Sequence, residues 1–293
     1  MQRNRLLRVS VILSTFEDTA CLEKAVWGYF KQSCQDFELL VADDGQGPDP
    51  ADCLRGLRRE TGLTIRHLRA RSPDARKCAA LNRAIQQAEG AYLIFSEDRC
   101  IPRWDFVEVH VRLARPGRYL AGACVQVHTQ LSRSIDREEV ISGHATDAQW
   151  LRCRGLQDER RTRILSAQSQ WAGLWDLFSG MRVAWNSANA SCWKDDLLEV
   201  NGFDERIQCG ALDRELGERL SNAGIRGKNV QYRAVCIRLQ SQPQCFTRET
   251  LERNLTLPDE SRRTRATWTP FGIRKGYRVL GVEGTVQPAI EGE

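Results

Sequence analysis

Residues 6–13 (LLRVSVIL) form a near-continuous apolar, β-branched run, the pattern of a strand covered on both faces. Amphipathic spacing over 22–30 then predicts a helix, and 37–42 (FELLVA) a second buried strand ending at Asp43-Asp44-Gly45. The alternation continues with a helix over 52–59, a strand over 63–68, a helix over 77–88 and a strand over 91–95. Strands alternating with helices mean βαβ units, so the pattern predicts an α/β fold with a mainly parallel, Rossmann-like sheet flanked by helices. In such sheets ligands bind beyond the carboxyl ends of the strands. Three polar clusters fall at those ends: Ser14-Thr15-Phe16-Glu17, Asp43-Asp44-Gly45 and Ser96-Glu97-Asp98-Arg99. One shared crevice follows, although Asp43-Asp44-Gly45 also suits an ordinary turn.

In the later half, a short helix over 195–200 stops at Asn201-Gly202, a normal C-terminal signal. A second helix carries an apolar stripe at Leu212, Leu216 and Leu220, which leaves Glu215 and Glu218 as solvated charges, Glu218 pairing with a basic neighbour. Asp213 stands in its first turn, where a carboxylate is favourable whatever its function.

Composition narrows the picture. A chain of 293 residues is long enough to bury a full α/β core in one continuous domain. The 43 basic against 38 acidic residues leave +5, spread in short runs and not gathered in a stripe, so a nucleic-acid binder is not indicated. No GxGxxG follows the first strand and no GxxxxGK[ST] occurs, which counts against dinucleotide binding and excludes a P-loop. The 11 cysteines are odd in number, scattered and without a CxxC pair, so neither a zinc module nor a disulfide framework is expected. Basic residues precede an apolar run at the start, but residues 9–13 are too short for the apolar region of a signal peptide. No window approaches the roughly 18 apolar residues of a membrane span. The expectation is a cytoplasmic, reduced protein, with peripheral contact at the inner face of a membrane left open.

The string SVILSTFEDT, some helix, then FELLVADDG closely resembles the opening of the family-2 glycosyltransferases. The resemblance runs on through DARKCAALNRAI, AYLIFSEDRCIPRWDFVEVH, ISGHATDAQWL, residues 183–220 and TWTPFGIRK, nearly the whole chain. It implies the GT-A fold, of a bacterial surface-glycan type with a galactosyltransferase-like later segment. It divides the chain into a nucleotide-sugar-binding half (1–116), an acceptor-binding and catalytic half (117–275) and a tail (276–293). Thr15, Phe16 and Glu17 would lie near the nucleobase, with Asp43 or Asp44 accepting from the uracil or ribose. Arg76 and Lys77 match a basic pair beside the nucleotide. Trp185, Asn186 and Asn189 match a turn that contacts acceptor sugars. Asp213 matches the catalytic aspartate, which takes the acceptor hydroxyl's proton in an inverting transfer, a role worth about 10² to 10⁴ in rate. The implied partners are a nucleoside-diphosphate sugar, UDP-linked in this reading, and a glycan or glycolipid acceptor.

Two departures concern the metal. The family's Asp-x-Asp, whose last carboxylate holds Mg²⁺ or Mn²⁺, reads Glu97-Asp98-Arg99 here, leaving Asp98 or Glu97 as the remaining ligands. The later histidine-bearing segment reads CIRLQS, with Arg238 and Ser241 at the histidine positions. Either Arg99 and Arg238 grip the diphosphate in place of a metal, or the site has decayed and the chain binds nucleotide or glycan in support of a partner enzyme. A related nucleotidyltransferase is disfavoured, because no Gly-rich basic loop follows the first strand. Residues 152–182 fit least well. Their Trp171, Trp175 and Phe178 suit either a lid that stacks on an acceptor or meets a membrane interface, or a short helix packing its aromatics.

Overall fold

The structure, a computed structural model, describes residues 8–15, 19–70, 77–166, 172–178, 183–207, 210–240 and 248–276. Its first half runs β1 (Val9–Thr15), α1 (Thr19–Phe30), β2 (Phe37–Asp43), α2 (Ala51–Thr61), β3 (Ile65–Arg69), α3 (Lys77–Gln87) and β4 (Tyr92–Glu97). These are the seven elements expected from the pattern, displaced by a few residues at their ends. β5 (Cys100–Pro102), α4 (Phe106–Leu113), β6 (Arg118–Ala121) and β7 (Ala123–Gln126) follow. Next come short helices α5 (Thr129–Ser134), α6 (Arg137–Ile141), α7 (Ala148–Cys153), α8 (Glu159–Ser166) and α9 (Ala172–Phe178). The chain returns through β8 (Asn189–Trp193), α10 (Lys194–Glu199), α11 (Leu212–Asn222), β9 (Arg226–Asn229), β10 (Val235–Arg238) and α12 (Arg248–Thr264).

The main sheet has the order β3-β2-β1-β4-β8-β6-β9. β1 pairs in parallel with both β2 and β4, and β8 is antiparallel to its two neighbours. Because successive side chains point to opposite faces, each inner strand feeds two cores. Val9, Val11, Leu13, Leu39, Val41, Tyr92 and Ile94 join one cluster with α1. Ile12, Leu40, Ala42, Leu93 and Phe95 join the other, with α3 and α11. That division is why these strands read as continuous apolar runs. Connections leave β1 toward β2 on one side and β4 on the other, so their carboxyl ends open at a topological switch point.

A second sheet, β5-β10-β7, stands beside the mouth of this crevice. β10 runs antiparallel to β5 and parallel to β7, placing Arg238 opposite Cys100 and Cys236 opposite Cys124. Asn189 holds this sheet to the main one: fully buried, its amide nitrogen donates to the Ala123 and Ala234 carbonyls at 2.9 and 3.0 Å. After α10 both Asn201 and Gly202 adopt left-handed backbone (φ 66° and 68°). The glycine is required there, since a Cβ at position 202 would land on the Asn82 side chain.

Glu215 corrects an expectation. It is buried and accepts from Arg219 through both oxygens at 2.7 Å, while the same guanidinium donates to the Gly202 carbonyl at 2.7 Å. This ion pair is interior and fixes α11 against the turn after α10. Among the described residues, no helix is long and apolar enough to cross a membrane.

Candidate active site

Glu97, the last residue of β4, is the hub of the crevice. Lys77, first residue of α3, donates to its Oε1 at 2.7 Å. Arg238, last residue of β10, donates to Oε2 at 2.7 Å, and Arg99 Nε lies 3.8 Å from the same oxygen. Burial would raise the Glu97 carboxyl, but the Lys77 ammonium and the Arg238 guanidinium outweigh it and hold the group at about 2. A lysine at a helix N-terminus opposes the macrodipole. Burial also pulls the Lys77 ammonium down, yet Glu97 and then Asp213 raise it above its ordinary value. The ammonium thus couples the β4 end to the first turn of α11.

Asp98 turns the other way. Its backbone N–H donates to the Ser14 carbonyl, and its Oδ2 accepts from the Thr15 hydroxyl, both at 2.9 Å. Asp43 and Asp44, both buried, close the β2 end. Asp43 Oδ1 accepts from Gly45 N at 2.8 Å, and its Oδ2 is hydrogen-bonded to His67 Nε2 at 2.8 Å. Asp44 accepts from Gln46 N at 3.1 Å. Burial pushes the Asp44 carboxyl up to about 6, helped by the charges of Asp43 and Asp98.

Asp213 is half-buried, and both of its hydrogen bonds to described residues fall on Oδ1: Ser187 N at 2.9 Å and Ser187 Oγ at 2.5 Å. The helix it opens has no side-chain cap, so capping does not account for the residue. Burial raises its carboxyl above the ordinary value against the lowering effects of Lys77 and Ser187. Trp185 supports this arrangement from beneath. Packed edge-on against Phe95 at 5.3 Å, it donates from Nε1 to Ser187 Oγ at 3.0 Å.

Two of the three residues expected at the acceptor are buried and engaged within the protein. Trp185 is buried in the aromatic core, and Asn189 is fully buried with its Oδ1 bonded to His110 Nε2 at 3.1 Å. Neither presents a polar atom to the crevice. Asn186, half-buried, turns its Oδ1 back onto Ala188 N at 3.1 Å and its amide nitrogen toward Cys124 Sγ at 3.8 Å. The structure thus brings together Thr15, Asp43, Asp44, Lys77, Glu97, Asp98, Arg99, Asp213 and Arg238. Phe16, Glu17, Arg76, Trp171 and Ser241 lie outside the described residues. Two contributors were not singled out from the sequence: Ser187 and His67. His67 lies two residues before the end of β3, and strand-end alternation would have flagged it. Ser187 looked like part of a turn. Of the 152–182 stretch, α9 is held by Asp176, which accepts from Arg233 at 2.5 Å and from Tyr232 N at 2.9 Å, while Trp175 stands 42% exposed.

An open sheet with acidic strand ends at its switch point, a half-buried cation cluster beside them and a half-buried carboxylate across the crevice is the frame of a nucleotide-sugar-binding fold. A family model described as Glycosyl transferase family 2 matches residues 10–186. The chain belongs to that family, and its fold is GT-A. It is 26% identical over 235 residues to validoxylamine A glucosyltransferase of Streptomyces hygroscopicus subsp. jinggangensis (strain 5008), covering 74% of this chain and 52% of that protein. The chain therefore spans about half the length of the curated relatives it matches. Among solved structures it is similar to the mannosyltransferase PcManGT from Pyrobaculum calidifontis in complex with GDP-Man and Mn²⁺. That similarity has a TM-score of 0.54 at 18% identity, over 87% of this chain and 64% of the other. S. aureus TarS 1–349 in complex with UDP gives 0.56 at 11% identity, over 87% and 68%.

Proposed function

We propose that the protein transfers a sugar from a UDP-linked donor to a hydroxyl of a glycan or glycolipid, with inversion and without a divalent metal at the diphosphate. The observation that carries this reading is the convergence of Lys77, Arg99 and Arg238 on Glu97 at the carboxyl end of β4. A hard divalent ion needs oxygen ligands with room around them. Here both Glu97 oxygens are held by cations, Asp98 accepts from Thr15, and guanidinium groups, Arg99 and Arg238, stand at two of the remaining ligand positions. The donor set does not fit Mg²⁺ or Mn²⁺. It fits an anion: guanidinium and ammonium groups offer charge-assisted hydrogen bonds to phosphate oxygens.

Glu97 orients these cations before substrate arrives, so they stabilise the charge that grows on the departing diphosphate with little reorganisation. Asp43 and Asp44 face the nucleobase and ribose from the end of β2. Asp213, fixed through Oδ1 by Ser187, keeps Oδ2 for the acceptor. Burial raises its carboxyl above the ordinary value, which strengthens it as a general base when ionised. It takes the hydroxyl proton as that oxygen attacks the anomeric carbon opposite the leaving diphosphate. The segment 117–275 supplies the acceptor side.

A screen of UDP- and GDP-sugars, with and without added Mg²⁺ or Mn²⁺, tests the proposal. Turnover of a UDP-sugar that is indifferent to these ions supports it. Turnover that requires Mg²⁺ or Mn²⁺ shows that Glu97 or Asp98 holds a metal. Tight UDP binding with no turnover of any donor favours the second reading, in which Glu97 keeps the cations neutralised and the chain serves a partner enzyme.

A further inference from the structure

The structure assigns a second, unrelated chemistry to the small sheet: we infer that Cys100, Cys124 and Cys236 form a binding site for a thiophilic d¹⁰ cation, with Zn²⁺ favoured by charge. The three cysteines come one each from β5, β7 and β10, and their sulfur atoms all lie within 4.8 Å of one another. Register explains the meeting. Cys124 sits beside Cys236, and Cys100 beside Arg238, two residues along from Cys236 and therefore on the same face. Three thiols thus project from three adjacent strands toward one point. A spacing-based search for paired cysteines misses this, because the ligands are 24 and 112 residues apart along the chain and only the sheet unites them.

The surroundings distinguish the cluster from ordinary packing. Buried cysteines usually behave as small apolar residues and need no polar neighbours. Here Asn186 directs its amide nitrogen at Cys124 Sγ (3.8 Å), and the Asn189 amide nitrogen, whose N–H groups go to the Ala123 and Ala234 carbonyls, lies 3.9 Å from Cys236 Sγ. Arg238 stands on the same face. An N–H group aimed at sulfur, as from Asn186, is an outer partner of the kind metal-bound thiolates take. The donors are sulfur only, which selects Zn²⁺ or Cu⁺ over Mg²⁺, Ca²⁺ or Mn²⁺. Three thiolates leave one negative charge on Zn²⁺ and two on Cu⁺, so Zn²⁺ leaves the smaller charge for a largely buried site to carry. Zn–S bonds of about 2.3 Å put sulfurs about 3.8 Å apart, within the spread seen here after the Cys124 to Cys236 distance of 3.2 Å relaxes outward. Each Zn–S bond replaces an S–H bond, and the proton passes to solvent. Cys100 and Cys236 are buried while Cys124 is half-exposed, so an ion enters from the β7 side. The inference stands on sulfur geometry and is independent of the sugar-transfer reading.

The test uses the full chain, purified reduced and stripped of metal, titrated with Zn²⁺ against a chromophoric chelator and separately with Co²⁺. Expected are one equivalent of Zn²⁺, a thiolate-to-Co²⁺ charge-transfer band, and a melting temperature that rises with Zn²⁺. Outer-partner changes alone typically weaken metal sites about 10- to 100-fold, so Cys124→Ala, a half-exposed position, should weaken binding by more than about 100-fold. Cys153→Ser, which removes an exposed thiol on α7, should leave it unchanged. Absence of the charge-transfer band in the unmodified protein overturns the inference, whether or not any variant folds. Binding that persists in Cys124→Ala does the same, as does a peptide map showing Cys124 and Cys236 oxidised to each other under the conditions in which metal is offered.

Discussion

Replacing Asp213 by asparagine separates a base from a structural carboxylate, because the two roles predict effects of different size. The folded state uses Oδ1 to accept from Ser187 N and Ser187 Oγ, and an asparagine carbonyl oxygen can accept both bonds. Passing from a charged to a neutral acceptor costs about 1 kcal/mol per bond. Against this, burial already disfavours the charge, as the raised carboxyl shows, so its removal returns part of that cost. The net change should be about 1 kcal/mol or less, a shift in melting temperature of about 2–4 °C. Loss of the base, by contrast, should lower kcat by about 10² to 10⁴, or about 2.7 to 5.5 kcal/mol of barrier. Donor affinity should hold, since the carboxylate acts on the acceptor. The assay pairs initial rates at saturating donor with thermal melts and UDP calorimetry on one preparation. The pH profile adds an independent arm. A base must be ionised, so the acid limb of kcat in the unmodified enzyme should lie above the usual carboxylate range and vanish from whatever activity the variant retains. Near-normal turnover in a folded Asp213→Asn protein would remove the residue from the chemistry. A large melting-temperature loss with UDP binding gone would make it structural.

Asp44→Asn should weaken UDP binding at least about tenfold, the worth of one charge-assisted hydrogen bond, while raising stability at pH 7.5. A carboxyl lifted to about 6 favours the protonated form in the folded state. Its penalty therefore grows as pH rises from about 4 to about 6, reaching about 1–2 kcal/mol after allowance for solvent at the crevice mouth, and thermal melts showing no gain at pH 7.5 would count against this. Glu97→Gln should destabilise by about 3 kcal/mol at neutral pH, because it removes the buried carboxylate that half-buried Lys77, Arg99 and Arg238 share as counter-ion. With the folded carboxyl at about 2, that stabilisation is complete above about pH 4.5 and lost as pH falls toward 2, so melts of variant and parent should converge in acid. Arg99→Ala and Arg238→Ala should each lower kcat by about 10². Rescue of the parent enzyme after chelation by Mn²⁺ would show that these groups do not replace a metal, whereas rescue by Zn²⁺ alone would point to the thiol cluster.

Sequence pattern revealed the fold because inner strands serving two cores must be apolar at every position, as β1, β2 and β4 are, and helices covering such a sheet must keep helical spacing. Strand ends were legible for the same reason. A run of apolar residues stops where the chain leaves the sheet, and the polar residues that follow, Thr15, Asp43, Asp44 and Glu97, must face the crevice. What pattern could not show was which polar side chains are used up by the protein itself. Asn189 and Trp185 carry sugar-binding groups, yet the small sheet and the aromatic core consume them. Glu215 sits at a helical position open to solvent in isolation, and only the placement of Arg219 against the turn after α10 buries the pair. The cation cluster joins the two kinds of evidence. Its members were visible as substitutions at Arg99 and Arg238, but as two separate losses of metal ligands. Their meaning depends on β10 lying antiparallel to β5, which sets Arg238 opposite Cys100, one residue beyond Arg99, and so directs both guanidiniums at Glu97. Two changes 139 positions apart thus act on one carboxylate. A decayed site has no reason to place its second arginine on the same oxygen as its first, and that convergence favours replacement of the metal over its loss.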